Sequence, residues 1–416
     1  MGIQGLHTAF KGVVISLLAI SLISGEAGAI TPPMLGDIRG WGMGGAMFGV
    51  GGDLSSIYYN PAGIALCDGG LELLNIMAGA TFDTVGEMLD YDEFLDRIRR
   101  IQGSDDPIND PALSEDRKWV VERVERIIGE LIGVRVPGGM RLVIPLSLGA
   151  HRLALGGSIY GFLGGEWWME RRGLPWDDPI KEMLDDAVIY RVFGDGLVIG
   201  TLGGAIGLAK GVKLALGSNY KLLRRWIFSD VEDPFTVEDV MNPKGPDGIE
   251  GTEDDFSRRF FDPNDPLAKV QRWTGFGLDL GALLSIRDGS IQAGVTLRDL
   301  VSSMRSGSSE GKIDPNLAVG ASFSPFRTKY MTLLMAFSLD DIGGSVRGGG
   351  ILDKLHLGAE LSLHSNRLIS LSARVGNNQG FLTYGFGLRL AILSIGYARY
   401  GDEVADWHFV SASIGF

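Results

Sequence analysis

Over the C-terminal third of the chain, apolar and polar residues alternate with a period of two. Leu355, Leu357, Ala359, Leu361 and Leu363 share one face, while His356, Gly358, Glu360 and Ser362 share the other. Ile369, Leu371, Ala373 and Val375 oppose Ser370, Ser372, Arg374 and Gly376. Leu382, Tyr384, Phe386, Leu388 and Leu390 oppose Thr383, Gly385, Gly387 and Arg389. Strict alternation over about ten residues is the pattern of a membrane-crossing strand, whereas strands of a soluble sandwich usually run about five or six. Extended along the chain, the pattern predicts fourteen strands. They start near Leu71, Gly139, Arg152, Ala187, Val212, Arg272, Ser290, Asn316, Lys329, Lys354, Arg367, Gly380, Ile392 and Asp406.

The spacing between segments supports the same reading. Connections after even-numbered strands are short, around Ala150-His151, Ala209-Lys210-Gly211, Arg287-Asp288-Gly289, Pro325-Phe326-Arg327, His364–Arg367 and Ala391. Those after odd-numbered strands are mostly long, at about 81–138, 164–186, 227–271, 301–315 and 340–353. Short turns on one side and long loops on the other are characteristic of outer-membrane barrels. The predicted fold class is therefore all-β, a transmembrane antiparallel barrel of about 14 strands.

Composition narrows the picture. The 416 residues include 62 glycines, above the usual share of about 7%, with no collagen-like period. They sit inside apolar segments, where they fit strands that bend or pack closely. Gly156-Gly157, Gly164-Gly165 and Gly203-Gly204 are candidate kinks, with ordinary barrel curvature as the alternative. A net charge of −13 argues against nucleic-acid binding. The single cysteine, Cys67, excludes an intrachain disulfide framework and multi-cysteine metal sites. No cofactor is expected.

At the N-terminus, Lys11 precedes the apolar run Val13–Ile23, and Ala27-Gly28-Ala29 has the small-x-small form cut by signal peptidase. Residues 1–29 are read as a signal peptide cleaved after Ala29, 30–68 as a plug segment and 69–416 as the barrel. The terminal strand alternates to Phe416, which resembles the signal recognised by the bacterial barrel-assembly machinery.

The loops carry further patterns. Met88, Tyr91, Leu95 and Ile98 lie at helical spacing, as do Val120, Val124, Ile127 and Leu131. These stripes fit either an external cap over the mouth or two helices packed on each other. Between Ile227 and Val270 lie twelve acidic and four basic residues. The run Asp247–Asp255 is a carboxylate-rich turn that could suit calcium, but it lacks EF-hand spacing and reads as a solvated loop. Trp167, Trp168 and Trp176 fit an interfacial girdle or a mouth closure.

Catalysis finds no support. His356, Glu360 and His364 share a strand face, but positions four apart are separated by roughly 13 Å and cannot share a metal. Asp279, Arg298, Glu360, Arg374 and Arg389 fall on lumen-facing positions, where charges usually pair or line a wet interior. No enzyme activity is expected.

Before the first strand stands Met43-Gly44-Gly45-Ala46, then Asp53, then Tyr59-Asn60-Pro61-Ala62-Gly63. No strand precedes these glycines and no βαβ unit follows, so a nucleotide loop is excluded. Asn-Pro-Ala-Gly is a turn. Over about residues 36–66 this stretch resembles the FadL-type family of long-chain fatty-acid transporters and its PorV-like relatives. The resemblance implies a hatch folded inside a fourteen-stranded outer-membrane barrel, with gating by Asp53, Asn60, Pro61, Ala62 and Gly63. It also implies a fatty acid or other hydrophobic ligand, with an exit past the hatch or sideways through the wall, and outer-membrane lipid around the barrel. The alternative is a PorV-like barrel that binds partner or secreted proteins at its external loops. A water-filled porin ranks behind both, because the lumen reads as Gly-rich and weakly charged. Cleavage after Ala29 would give a membrane-purified chain beginning at Ile30, and intact-mass measurement checks this; a mass that retains residues 1–29 rejects it.

Overall fold

The computed structural model describes residues 34–81, 91–102, 111–127, 131–148, 151–170, 187–229, 235–236, 270–344, 350–365, 368–402 and 405–416. The signal peptide, Trp176 and the Asp247–Asp255 turn lie outside the described residues. Fourteen antiparallel strands close into one barrel. They are β1 (Gly70–Thr81), β2 (Leu131–Leu148), β3 (His151–Glu170), β4 (Ala187–Ala209) and β5 (Val212–Ser229). Then follow β6 (Gln271–Ile286), β7 (Ile291–Ser306), β8 (Asn316–Arg327), β9 (Met331–Leu339) and β10 (Leu355–His364). The last four are β11 (Ile369–Asn378), β12 (Phe381–Leu390), β13 (Leu393–Gly401) and β14 (Asp406–Gly415). Each strand pairs with its sequence neighbour, and β1 pairs with β14 to close the wall. The seam is completed at its lower end by reciprocal backbone hydrogen bonds between Leu71 and Phe416, at 2.8 and 2.9 Å.

Closure follows from the environment: lipid offers no hydrogen-bond partners, so a sheet that crosses it cannot keep a free edge. The outer face is correspondingly apolar. Ile76, Leu142, Leu155, Leu202, Leu361, Phe386 and Val410 all point outward and are exposed. On the lumen side of the same strands, His356, Glu360 and Thr383 are buried. The tight turns lie at one end. Arg287 and Asp288 each have φ of 52°, a left-handed pair that matches the twist of a two-stranded hairpin. By the short-turn rule this end faces the periplasm.

The wall is uneven in height. β2 to β5 run 18 to 23 residues, whereas β10 to β14 run 9 or 10. About ten residues cross the membrane, so β2 to β5 stand well beyond it on the external side. Glycine hid this in the sequence. β2 starts at Leu131 rather than near Gly139, because Val136-Pro137-Gly138-Gly139 remains in the ladder. β3 continues to Glu170, so Trp167 and Trp168 are strand residues and not loop residues. Leu131, grouped with a helical stripe, is the first residue of β2. The helices themselves are present, α3 (Tyr91–Gln102) and α4 (Ser114–Ile127), held together by Arg97 and Arg100 on Asp116 at 2.8–3.0 Å.

The candidate glycine kinks do not interrupt the ladder. Pairing runs unbroken through Gly156-Gly157, Gly164-Gly165 and Gly203-Gly204. A larger irregularity lies between β6 and β7. Leu278 and Leu280 face Val301 and Leu297, so three residues of β7 stand opposite Asp279 alone. Asp299, in this bulge, has φ of 51°. An extra residue in one strand breaks local pairing and re-aims side chains.

Two further elements precede β1 and lie inside the barrel: α1 (Ile38–Gly42) and α2 (Ser56–Tyr59), followed by a 3-10 turn at Pro61–Leu66. A charge on the lipid face should be costly and one on the lumen face should not. Leu361→Arg is expected to lose about 2–4 kcal/mol of stability in vesicles, and lumen-facing Ser362→Gln under about 1 kcal/mol. Urea titration of the refolded barrel checks both; equal losses would contradict the inside–outside assignment.

Candidate functional site

The plug is built around one turn. Asn60 is extended and caps the 3-10 turn, its Oδ1 accepting from the Ala62 amide at 3.1 Å. Pro61 occupies the first turn position, where a missing N–H costs nothing. The Asn60 Nδ2 donates to the Phe48 carbonyl at 3.0 Å and the Ala282 carbonyl at 3.2 Å. One amide thus joins two parts of the plug to the wall strand β6, and Asn60 and Ala62 are both fully buried. Gly63 is required for close packing, since a Cβ there would stand 2.5 Å from the Ser56 Oγ.

The wall beneath this turn is glycine. A Cβ on Gly217 of β5 would lie 2.4 Å from the Pro61 carbonyl carbon, and one on Gly281 of β6 2.3 Å from the Asn60 Oδ1. On Gly294 of β7 it would meet the Phe48 oxygen at 2.4 Å. Gly320, Gly358 and Gly376 give the same clearance to Gly49, Met43 and Gly44. Strand glycines therefore form a seat that lets plug backbone lie directly on wall backbone. Side chains complete it: Gln292 accepts from Gly51 N at 2.9 Å, Ser322 donates to Gly49 O at 2.9 Å, and Asn219 donates to Ile57 O at 2.9 Å.

The arm before the turn is held by ion pairs. Asp37 caps α1 through the Gly40 amide at 2.9 Å and pairs with Arg141 of β2 at 2.7 Å. Arg141 also holds Glu72 of β1 at 3.0 Å. Burial alone would raise the Asp37 carboxyl, but the Arg141 guanidinium, the Ser55 hydroxyl and the Gly40 amide together hold it below the usual carboxylate range. Arg39 grips Glu360 of β10 with two bonds of 2.9 Å and also pairs with Asp53. Glu360 accepts from Arg374 at 2.6 Å. Trp41 lies against Phe409 of β14, their ring centroids 4.3 Å apart.

The structure distributes the sequence-derived residues unevenly. Asp53 and Glu360 meet at Arg39, and Arg374 joins them through Glu360. Asp279 joins a separate group with Lys221 at 2.7 Å and Asn219 at 3.1 Å, and it accepts from the Asp299 amide at 2.8 Å. Arg298 pairs with Asp340 at 2.6 Å and lies over the Phe48 ring at 4.9 Å. Arg389 stays at the lower rim, exposed, and bonds the Ala391 carbonyl of its own turn. The expectation of a weakly charged lumen is corrected. Buried or largely buried pairs also join Arg225 to Asp195 and Arg135 to Glu166, both at 2.6 Å. These residues, with Arg141 and Lys221, were missed because β2 to β5 are too rich in glycine for a face to be assigned, and Asp37 and Arg39 because the plug has no strand alternation to mark an inward face. Among the described residues, no cluster of His, Cys, Asp and Glu could hold a metal ion.

Around the plug the lumen is packed with apolar and aromatic side chains. Tyr160, Phe162, Leu197, Met304, Trp407 and Phe409 are buried there together with Trp41. An apolar belt outside, a closed ladder and a filled lumen leave one setting for such a chain. It is an outer-membrane β-barrel.

No protein-family model matches the chain, and no curated protein does. Solved structures show similarity of architecture. The toluene transporter TodX of Pseudomonas putida aligns with a TM-score of 0.44 and 9% identity, covering 94% of this chain and 99% of that one. The toluene transporter TbuX of Ralstonia pickettii aligns at 0.45 and 10%, covering 92% and 97%. A FadL homologue of Pseudomonas aeruginosa aligns at 0.36 and 10%, covering 94% and 99%.

If the glycine seat and the buried pairs hold the plug, disturbing either should uncover Cys67, a buried thiol at the end of the plug and the sole one in the chain. Gly281→Val is expected to raise the rate of maleimide labelling of the folded barrel at least about tenfold. Arg141→Met, which strands two buried carboxylates, should lower stability by about 3–5 kcal/mol and also raise labelling. Unchanged labelling in both would show that the plug does not depend on these contacts.

Proposed function

We propose that this barrel carries hydrophobic small molecules, long-chain fatty acids among them, across the outer membrane through a lumen closed by the N-terminal plug. The observation that carries this reading is the apolar filling of the lumen. Tyr160, Phe162, Leu197, Trp407 and Phe409 of the wall form one apolar cluster with Trp41, Phe48 and Tyr58 of a plug whose backbone rests on wall glycines. An apolar lining favours a ligand that gains by leaving water. A seated plug blocks free diffusion of water-soluble solutes. Asp53, Asn60, Pro61, Ala62 and Gly63 are then gating residues in the sense that a ligand passes only when their contacts yield. A sideways route would cross the wall at the β6–β7 bulge opposite Asp279, where pairing is already interrupted, and not at the glycine pairs.

The test is direct. The barrel, purified in detergent, is extracted and its bound lipid identified by mass spectrometry. A long-chain fatty acid is then titrated against tryptophan fluorescence. Saturable binding that weakens in Asn60→Ala is expected. With no co-purified lipid and no saturable response, transport of this ligand class is rejected, and a barrel that binds partner proteins at its external loops becomes the better account.

A further inference from the structure

The periplasmic end of the barrel carries charge of one sign. The chain as a whole is acidic, with a net charge of −13. Yet among the described residues lysine or arginine stands at or next to five of the six short connections at this end, and Asp288 is the one side-chain carboxylate within them. Lys210, Lys213, Arg287, Lys329 and Arg389 are exposed, and none of them pairs with a carboxylate of the described residues. Arg152 and Arg327 complete the ring. Arg152 donates to the Cys67 carbonyl and pairs with the exposed Asp68 at 3.1 Å, and Arg327 donates to the Asp288 carbonyl at 3.1 Å. Solubility would be served by either sign, and like charges crowded together without counter-charges repel one another. A ring of unpaired cations on an acidic chain therefore calls for an anionic surface.

Its direction separates this ring from a headgroup girdle. Alternate residues of a strand share a face. Lys213 shares its face of β5 with Gly217, which lies under Pro61 of the plug. Arg389 shares its face of β12 with Gly385, which lies against Gly42. Arg152 reaches the end of the plug itself. The residues next to them that face outward, Leu153 and Leu390, are exposed and apolar. The strand-borne cations thus surround the mouth, on the side away from the phospholipid headgroups.

We infer that the periplasmic end of the barrel docks the acidic face of a soluble periplasmic protein. Fourteen strands about 4.8 Å apart and tilted by about 40° enclose a ring roughly 28 Å across. A folded domain of about 100 residues, with a radius of gyration of about 13 Å, covers such a ring. A glycan strand of the cell wall is a thread and would meet one side of it, not five connections around it. Complementary charge steers the encounter and fixes the register of the docked face. The inference goes beyond transport and needs only the outer-membrane placement, so the two readings fail separately.

Photo-crosslinking in cells, with charges exchanged between the partners, tests this. The photoreactive residue p-benzoylphenylalanine is placed at Tyr330, an exposed aromatic of the β8–β9 connection, or at Ser290 of the β6–β7 connection, in the full barrel. Adducts are identified by mass spectrometry. A periplasmic protein is expected, with a yield that falls at least about fivefold when Lys210→Glu, Arg287→Glu and Arg389→Glu are combined. Acidic residues of that protein changed to lysine should restore the yield with the reversed barrel and lower it with the wild type. Heat-modifiable gel mobility confirms that the reversed barrel is folded. An adduct with phospholipid or with peptidoglycan overturns the assignment of the partner. A protein adduct indifferent to the reversal shows that the cations do not guide docking, and the inference falls. No adduct from either position overturns it as well.

Discussion

Everything in this molecule depends on the backbone finding partners where water is absent. In the wall, that requirement closes fourteen strands into a ring, because a free strand edge in lipid would leave a row of unpaired amides and carbonyls. Inside the ring it acts again on the plug. A segment of short helical turns and irregular backbone lodged in a barrel leaves many polar groups without internal partners. Here the wall supplies the bonds through Asn219, Gln292, Ser322 and Ser338, which reach the plug at Ile57, Gly51, Gly49 and Phe48. It supplies the space through glycine. Much of the high glycine content is thus clearance for backbone against backbone.

The sequence made the wall legible because lipid and lumen impose opposite preferences on alternate residues. From β10 to β14 the pattern and the strands agree to within a residue or two, since Leu355 to Leu363 face lipid and His356 to Ser362 face inward. The same rule weakens in β2 to β5. Gly138-Gly139, Gly156-Gly157 and Gly203-Gly204 have no side chain to mark a face, so β2 was read too short and the tall external wall went unseen. The Asn60-Pro61-Ala62-Gly63 turn was legible because each residue has a local reason to be there. Its partners were not, because nothing within the turn encodes which wall glycines lie 150 to 230 residues away in sequence. The bulge at Asp299 could not be read for a similar reason: Leu297-Arg298-Asp299-Leu300 carries no glycine, and its left-handed residue is set by tertiary contacts with Asp279 and Lys221.

The two halves of the plug are held by different physics. The turn at 60–63 is fixed by shape, with backbone lying where no Cβ could fit, and salt does not screen a steric contact. The arm at 37–41 is fixed by charge, through Asp37 on Arg141 and Arg39 on Glu360 and Asp53. Buried pairs add little net stability over apolar packing of similar volume, because desolvation offsets the attraction; what they strongly penalise is separation of the partners. Such contacts define a position more than they deepen a well. Arg39 is also less enclosed than Asn60, with 23% of its side chain and 33% of that of Asp53 exposed, against none of Asn60. Water can therefore reach the Arg39–Asp53 pair but neither the Asp37–Arg141 pair nor the turn. A disturbance of the plug that begins at the Arg39–Asp53 pair meets solvent that can take over its hydrogen bonds, whereas one that begins at Asn60 must break two carbonyl bonds with nothing to replace them. The same sequence segment thus combines a sealed foot and an arm exposed at one ion pair, and the division follows from which wall residues each half meets: glycines under the foot, arginine and glutamate beside the arm.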